Sequence, residues 1–145
     1  MGDIAQDIQS KFKSDKVKAL INIMYTANWI SSKQVEFFKP YDLSPQQYNI
    51  LRILRGAKGP MKAQTVKERM IERSPNATRL MDKLCEKKLI QRNRSESDRR
   101  VVYIEINQQG LDLLKEIDES NRFDFLSKIS NEEAKLLSDL LDKIR

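Results

Sequence analysis

Histidine is missing from the 145 residues altogether, and cysteine occurs once, at Cys85. Without histidine the chain lacks the side chain that most often serves as a general base or metal ligand near neutral pH. A single cysteine cannot form an intrachain disulfide framework, and without histidine it cannot complete the usual zinc spacings. The four glycines are scattered, so no glycine-rich phosphate loop is formed. Acidic pairs such as Glu132-Glu133 fall where a helix N-terminus favours negative charge. Together these absences speak against an enzyme, and no metal or other cofactor is expected. No apolar run approaches the ~20 residues that span a bilayer. Met1-Gly2-Asp3-Ile4-Ala5-Gln6-Asp7 lacks a signal-peptide pattern, and Gln6 stands where a myristoylation motif requires serine or threonine. A cytoplasmic protein without membrane contact is the expectation.

Charge, by contrast, is plentiful: 33% of residues are charged against 39% hydrophobic, and the formal net charge is +6. With little glycine or proline, that balance favours an ordered, mostly helical chain, and the length suits one domain. The charge is unevenly placed. Residues 60–100 carry 12 basic and 6 acidic side chains, whereas residues 101–145 carry 6 and 10. A polyanion would meet the first stretch and be repelled by the second. Clustered charge can also do no more than keep helices soluble, so the motif in which it sits decides.

That motif spans residues 61–107. Helical spacing runs from Ala63 to Ile71, with Val66 and Met70 on the core face. Ser74 then reads as an N-cap and Pro75 as the first helical residue of a segment reaching Lys87. Ala77, Leu80, Met81 and Leu84 form its apolar stripe. Asn76, Arg79 and Lys83 fall on another face, where Asn76 and Arg79 can meet base edges in a major groove. Taken alone, such a face would be ordinary solvated surface. Two strand-like runs follow. One is Leu89-Ile90-Gln91-Arg92-Asn93. The other runs from Val101 to Ile106, β-branched and aromatic, with Val102, Ile104 and Ile106 sharing a face. Between them Arg94-Ser95-Glu96-Ser97-Asp98-Arg99-Arg100 reads as a polar hairpin tip, able to place an arginine in a narrow minor groove. Asp98 is misplaced beside a polyanion unless it pairs with Arg92 or Arg94, stiffening the loop that presents Arg100.

Three stretches carry a resemblance: Thr78-Arg79-Leu80-Met81-Asp82-Lys83-Leu84-Cys85-Glu86-Lys87-Lys88-Leu89-Ile90, then Asp98-Arg99-Arg100-Val101, then Ile106-Asn107-Gln108-Gln109-Gly110. In this combination residues 44–118 resemble the MarR (multiple antibiotic resistance regulator) family of bacterial transcription factors. The resemblance implies a mostly α fold with a small β-hairpin wing. A winged helix-turn-helix would occupy residues 44–107, with helices from residues 1–39 and 108–145 forming a dimerisation arm. It implies a homodimeric regulator that binds double-stranded DNA at a pseudo-palindromic operator, a repressor relieved by a small aromatic or amphipathic effector. Asn76, Thr78 and Arg79 would enter the major groove and Arg100 the minor groove. Lys62, Gln64 and Arg94 would sit on phosphates, and Ser74, Lys83 and Arg99 complete the expected DNA-binding set. The chain departs from the family with Ile71-Glu72 in the turn where glycine is common. It also has Lys62 where a serine or threonine cap is commoner, and neither proline nor glycine near the wing tip. Thiol-sensing members share a cysteine near the N-terminal helix; this chain has none there, and Cys85 is expected to pack as a small hydrophobe.

The flanking segments complete the pattern. Ile4, Ile8 and Phe12, then Leu20, Met24 and Ala27, predict one long helix or two abutting ones over residues 3–30, in need of a partner surface. Ser31-Ser32 is expected to cap a short helix ending at Phe38, before Pro40. Ser44-Pro45-Gln46-Gln47 forms a capping box that opens a helix through Ala57, ended by Lys58-Gly59-Pro60. Asn107 caps a helix expected to reach Phe125. Ser130-Asn131-Glu132-Glu133, a second capping box, starts a last helix whose face of Leu136, Leu137, Leu140, Leu141 and Ile144 suggests an interface. Aromatic residues gather at Tyr25, Trp29, Phe37, Phe38, Tyr41 and Tyr48. Core and hinge packing would explain them; by the resemblance, Tyr25, Trp29, Phe37, Phe38 and Tyr48 would line an effector pocket. A reading from another class remains: a winged-helix protein-interaction module whose basic face meets an acidic protein.

Overall fold

The computed structural model describes residues 2–120 and 124–145. In chain order its elements are α1 (Ile4–Asp7), α2 (Asp15–Phe38), a 3-10 turn (Lys39–Tyr41), α3 (Pro45–Ala57), β1 (Met61–Lys62), α4 (Ala63–Arg69), α5 (Ala77–Glu86), β2 (Ile90–Arg94), β3 (Val102–Ile106), α6 (Gln108–Glu119) and α7 (Asn131–Ile144). The strands form an antiparallel sheet in the order β1-β3-β2. This is the mostly helical architecture with a small wing that the sequence implied. β1 was not foreseen: two residues carry no strand pattern of their own and are defined by pairing with Tyr103 and Ile104.

The core is built around α3. Its N-terminus is held by the capping box, in which the Ser44 hydroxyl accepts from the Gln47 N–H at 3.1 Å and the Gln47 side chain accepts from the Ser44 N–H at 3.0 Å. Tyr48, Ile50, Leu51 and Leu54 are buried, and Phe38, Val66, Met81, Leu84, Ile104, Leu114 and Ile117 close around them from five other segments. Polar side chains of α3 reach outward from this core. Gln46 Nε2 donates to Glu72 at 3.0 Å, Asn49 Oδ1 accepts from the Ile71 N–H at 2.9 Å, and Arg55 pairs with Asp118 of α6 at 2.7 Å. The same helix thus holds the turn before α5 and the first helix after the sheet.

Several boundaries differ from the expectations, each for a local reason. Residues 3–30 do not form one helix or two abutting ones. Gln9 turns the chain with φ 50°, and α2 restarts with the Ser14 hydroxyl accepting from the Val17 N–H. Ser31 and Ser32 cap nothing; they lie inside α2, where serine costs little in a helix otherwise favoured. α4 stops at Arg69 instead of Ile71, because Met70 turns extended to bury its side chain and Asn49 captures the Ile71 N–H. Leu89 stays out of β2, its N–H spent on Leu84 O at 3.1 Å. The helix after Asn107 ends at Glu119, and Phe125 lies in a later turn; residues 121–123 lie outside the described set. The capping box at Ser130 is formed as expected.

α7 buries none of its side chains. Leu136, Leu137, Leu140 and Ile144 stand exposed on it, as do Val17, Leu20, Met24 and Trp29 on α2. No described helix is long and apolar enough to cross a membrane.

Asn107 anchors the sheet-to-α6 junction, accepting from the Gly110 N–H at 3.1 Å and donating to Lys88 O at 2.6 Å. A Cβ on Gly110 would lie 2.4 Å from Leu89 O. Gly110→Ala is therefore expected to destabilise the fold by about 1–3 kcal/mol, as overpacking does. Lys88 holds φ 59° after α5, a conformation that favours glycine. Lys88→Gly is expected to stabilise by about 0.5–1 kcal/mol. Urea unfolding monitored by circular dichroism measures both signs.

Candidate nucleic-acid interface

α5 is fixed by its inner side. Ala77, Met81 and Leu84 are buried, which turns Thr78, Arg79 and Lys83 to solvent. Its start differs from the expected one. Ser74 does not cap the helix; its hydroxyl accepts from the Asn76 N–H at 3.1 Å, and Ala77 N–H bonds Ser74 O at 3.2 Å. Residues 75–76 are thereby spent on a turn, and Asn76 takes the cap position without a side-chain cap bond. Lys62 likewise precedes α4 without a side-chain cap bond.

The wing tip is closed by its own backbone. Ser95 N–H bonds Val101 O at 2.9 Å and Val101 N–H bonds Asp98 O at 3.0 Å. Asp98 does stiffen the loop, but not through an arginine side chain: its Oδ1 accepts from the Arg100 backbone N–H at 3.0 Å. A carboxylate two residues before an N–H closes this small ring more readily than it reaches across the hairpin. Arg92, expected to pair with Asp98, instead pairs through Nη2 with Asp82 Oδ1 on α5. Arg92 lies opposite Ile104 in the β2–β3 ladder, and from there its side chain meets Asp82 on α5.

Between α5, the wing and the start of α4 opens a groove of about 300 Å³. Lys62, Gln64, Lys67, Thr78, Arg92 and Arg100 line it, and no lining residue is acidic. The fold thus joins Lys62, Gln64, Thr78 and Arg100, drawn from three separate stretches of the candidate set. Asn76, Arg79 and Lys83 stand on the exposed side of α5, and Arg94 and Arg99 on the exposed wing, outside the groove lining; Ser74 is half-buried in the turn. Lys67 was overlooked. It sits one helical turn after Gln64, and that spacing was the available signal.

The aromatic set divides. Phe38 packs on Phe37 at 5.0 Å and on Tyr48 at 4.3 Å between ring centres, while Trp29 meets Phe125 edge-on at 6.3 Å. Tyr25 is exposed. Because α2 is continuous, its ~1.5 Å rise per residue puts Trp29 some 12 Å along the axis from Phe37. Of the five residues named for an effector pocket, Phe37, Phe38 and Tyr48 pack together, while Tyr25 and Trp29 lie farther back along α2. A smaller cleft of about 100 Å³ lies instead between Gln34, Tyr48, Asn49, Arg52, Met70 and Glu72. Burial raises the Tyr48 hydroxyl above its ordinary pKa. Among the described residues no cluster of acids and cysteine could hold a metal ion.

Residues 32–117 match the family model of the SarA/Rot transcriptional regulators. The chain is 30% identical over 107 residues to the HTH-type transcriptional regulator MhqR of Bacillus subtilis, covering 72% of this chain and 73% of that protein. To the HTH-type transcriptional regulator PecS of Dickeya dadantii it is 34% identical over 113 residues, 74% of this chain and 68% of that one. The crystal structure of a MarR transcription factor from Planctomyces limnophilus superposes with a TM-score of 0.70 at 30% identity, over 92% of this chain and 98% of that one.

Cys85 packs against the core at the rear of α5, and burial pushes its thiol pKa up. The thiolate is the reactive form, so the folded protein is expected to react with iodoacetamide at pH 7 more slowly than the urea-unfolded chain. Equal rates, followed by mass spectrometry, would contradict this burial.

Proposed function

Since the chain belongs to the MarR family of winged helix-turn-helix transcriptional regulators, we propose that it acts as a homodimer on a pseudo-palindromic operator, as a repressor released by a small effector. Residues 44–107 form the DNA-binding head in this reading, and residues 1–39 and 108–145 the dimerisation arm. The observation that carries it is the groove free of carboxylates between α5 and the wing. Three cations without a carboxylate partner, Lys62, Lys67 and Arg100, face one opening there, which favours a polyanion over a neutral or cationic partner. Thr78, Arg79 and Asn76 enter the major groove, with Lys83 and Ser74 at its edge. Arg100 enters the minor groove, and Lys62, Gln64, Lys67, Arg94 and Arg99 contact phosphates.

Pairing of two heads follows from the arm. The uncovered apolar faces of α2 and α7 are what a second copy would bury, and a two-fold pair would set the α5 helices ~34 Å apart, one helical turn of DNA. The effector would be a small aromatic or amphipathic molecule. The cleft beside Tyr48 and Arg52 suits one, because Asn49 lines it and also holds the Ile71 N–H. A bound molecule could then bias the turn that sets α5.

A mobility-shift assay with the DNA upstream of the gene for this chain tests the reading, and failure to shift any duplex would reject it. Arg100→Ala is expected to weaken binding and to flatten the dependence of log affinity on log salt by about 0.9, one phosphate neutralisation. Arg79→Ala is expected to cost about 1–3 kcal/mol of discrimination at one base pair; uniform weakening on all sequences would place it on phosphate. Leu140→Glu on α7 is expected to convert the dimer to monomers in sedimentation-velocity runs and to abolish binding to the full operator.

A further inference from the structure

We infer that Asp82 lowers the sequence-independent affinity of the head for DNA by tethering Arg92, which would otherwise bind a phosphate. The inference rests on the DNA-binding reading above and deepens it. Arg92 is one of four cations lining the groove, with Lys62, Lys67 and Arg100. Unlike those three, it is ion-paired: its Nη2 is bound to Asp82 Oδ1 across the junction between β2 and α5. Both ends of that tie are fixed. Asp82 follows Met81, which is buried, and Arg92 pairs with Ile104, also buried, across the sheet. Both charged groups are still partly in water, the guanidinium side chain 35% and the carboxylate 46% exposed.

An arginine free in this groove would neutralise a phosphate of any duplex, because phosphates carry no sequence information. It would add the same attraction to operator and to random DNA. The ratio of the two affinities would stay as it is, while binding as a whole would tighten and depend more steeply on salt. A carboxylate that occupies the guanidinium removes one indiscriminate contact and leaves the exposed readers of α5 untouched. Asp82 is accordingly a positioning residue that acts through Arg92 on the strength and salt dependence of binding. Its sequence neighbours gave no hint, since Arg92 lies ten residues on.

The test compares salt dependence on two duplexes, the upstream DNA shifted by the wild-type chain and a random sequence of equal length. Asp82→Asn keeps the shape and removes the charge. It is expected to raise random-DNA affinity severalfold and to steepen its log–log salt slope by about 0.9, so that raising salt fourfold costs about three- to fourfold more affinity than in wild type. Operator affinity should rise by a similar factor, leaving the ratio of the two as in wild type. Arg92→Met should leave the wild-type slope unchanged, and in the Asp82→Asn background it should restore it. An unchanged slope in Asp82→Asn would overturn the inference. So would loss of binding to both duplexes together with a lowered melting temperature, which marks a strut, or a loss confined to one base pair, which marks a base reader. Should Asp82→Asn not fold, Arg92→Met decides alone, since a slope flattened by about 0.9 would show that Arg92 already holds a phosphate. A wild-type chain that binds no duplex would reject the underlying DNA-binding reading, and this inference with it.

Discussion

Burial of α3 is the constraint on which the head depends. Gln47, Tyr48, Ile50, Leu51 and Leu54 of this helix are buried, so the polar groups on that side must be satisfied by the helix itself or by the segments that cover it. Gln47 is itself buried and spends its carboxamide in the cap of its own helix. Gln46, Asn49 and Arg55 reach the rim and fasten the turn before α5 and the flank of α6. α5 is therefore aimed by two agents: an apolar stripe that sets its rotation, and the Asn49 hydrogen bond that fixes where the chain enters it.

That arrangement has an electrostatic cost. Lys62, Lys67, Arg92 and Arg100 converge with no carboxylate among the groove residues, and like charges in proximity oppose compaction. Solvent exposure screens most of the repulsion, and the apolar core holds the walls in place. The one ion pair at the edge, Asp82 with Arg92, crosses from helix to strand. It relieves part of that repulsion.

Much of the fold was legible because its determinants are local. Both capping boxes, the stripe of α5 and the charged loop between two β-branched runs lie within a few residues of the features they specify. The misses share a cause of the opposite kind. β1 exists only as the partner of β3. Arg92 finds Asp82 instead of Asp98 because strand register and helix rotation together decide which carboxylate is near. Ser74 has the chemistry of a cap, but a turn takes the two residues that the helix would have used. The unbroken length of α2 separated Trp29 and Tyr25 from the aromatic group to which composition had assigned them. At the candidate interface, residue type identified the cations, while their meeting in one groove required the sheet.

The wing tip is held by bonds of its own. Its bonds run from Ser95 to Val101, from Asp98 to Val101 and from Asp98 to Arg100, all within seven residues and none to the core. The loop's shape is thus self-contained, and the rest of the fold has little stake in it. Sequence can drift or be exchanged at that point without eroding the folded state, which leaves the tip free to be retuned to a new stretch of duplex while the scaffold behind it stays as it is.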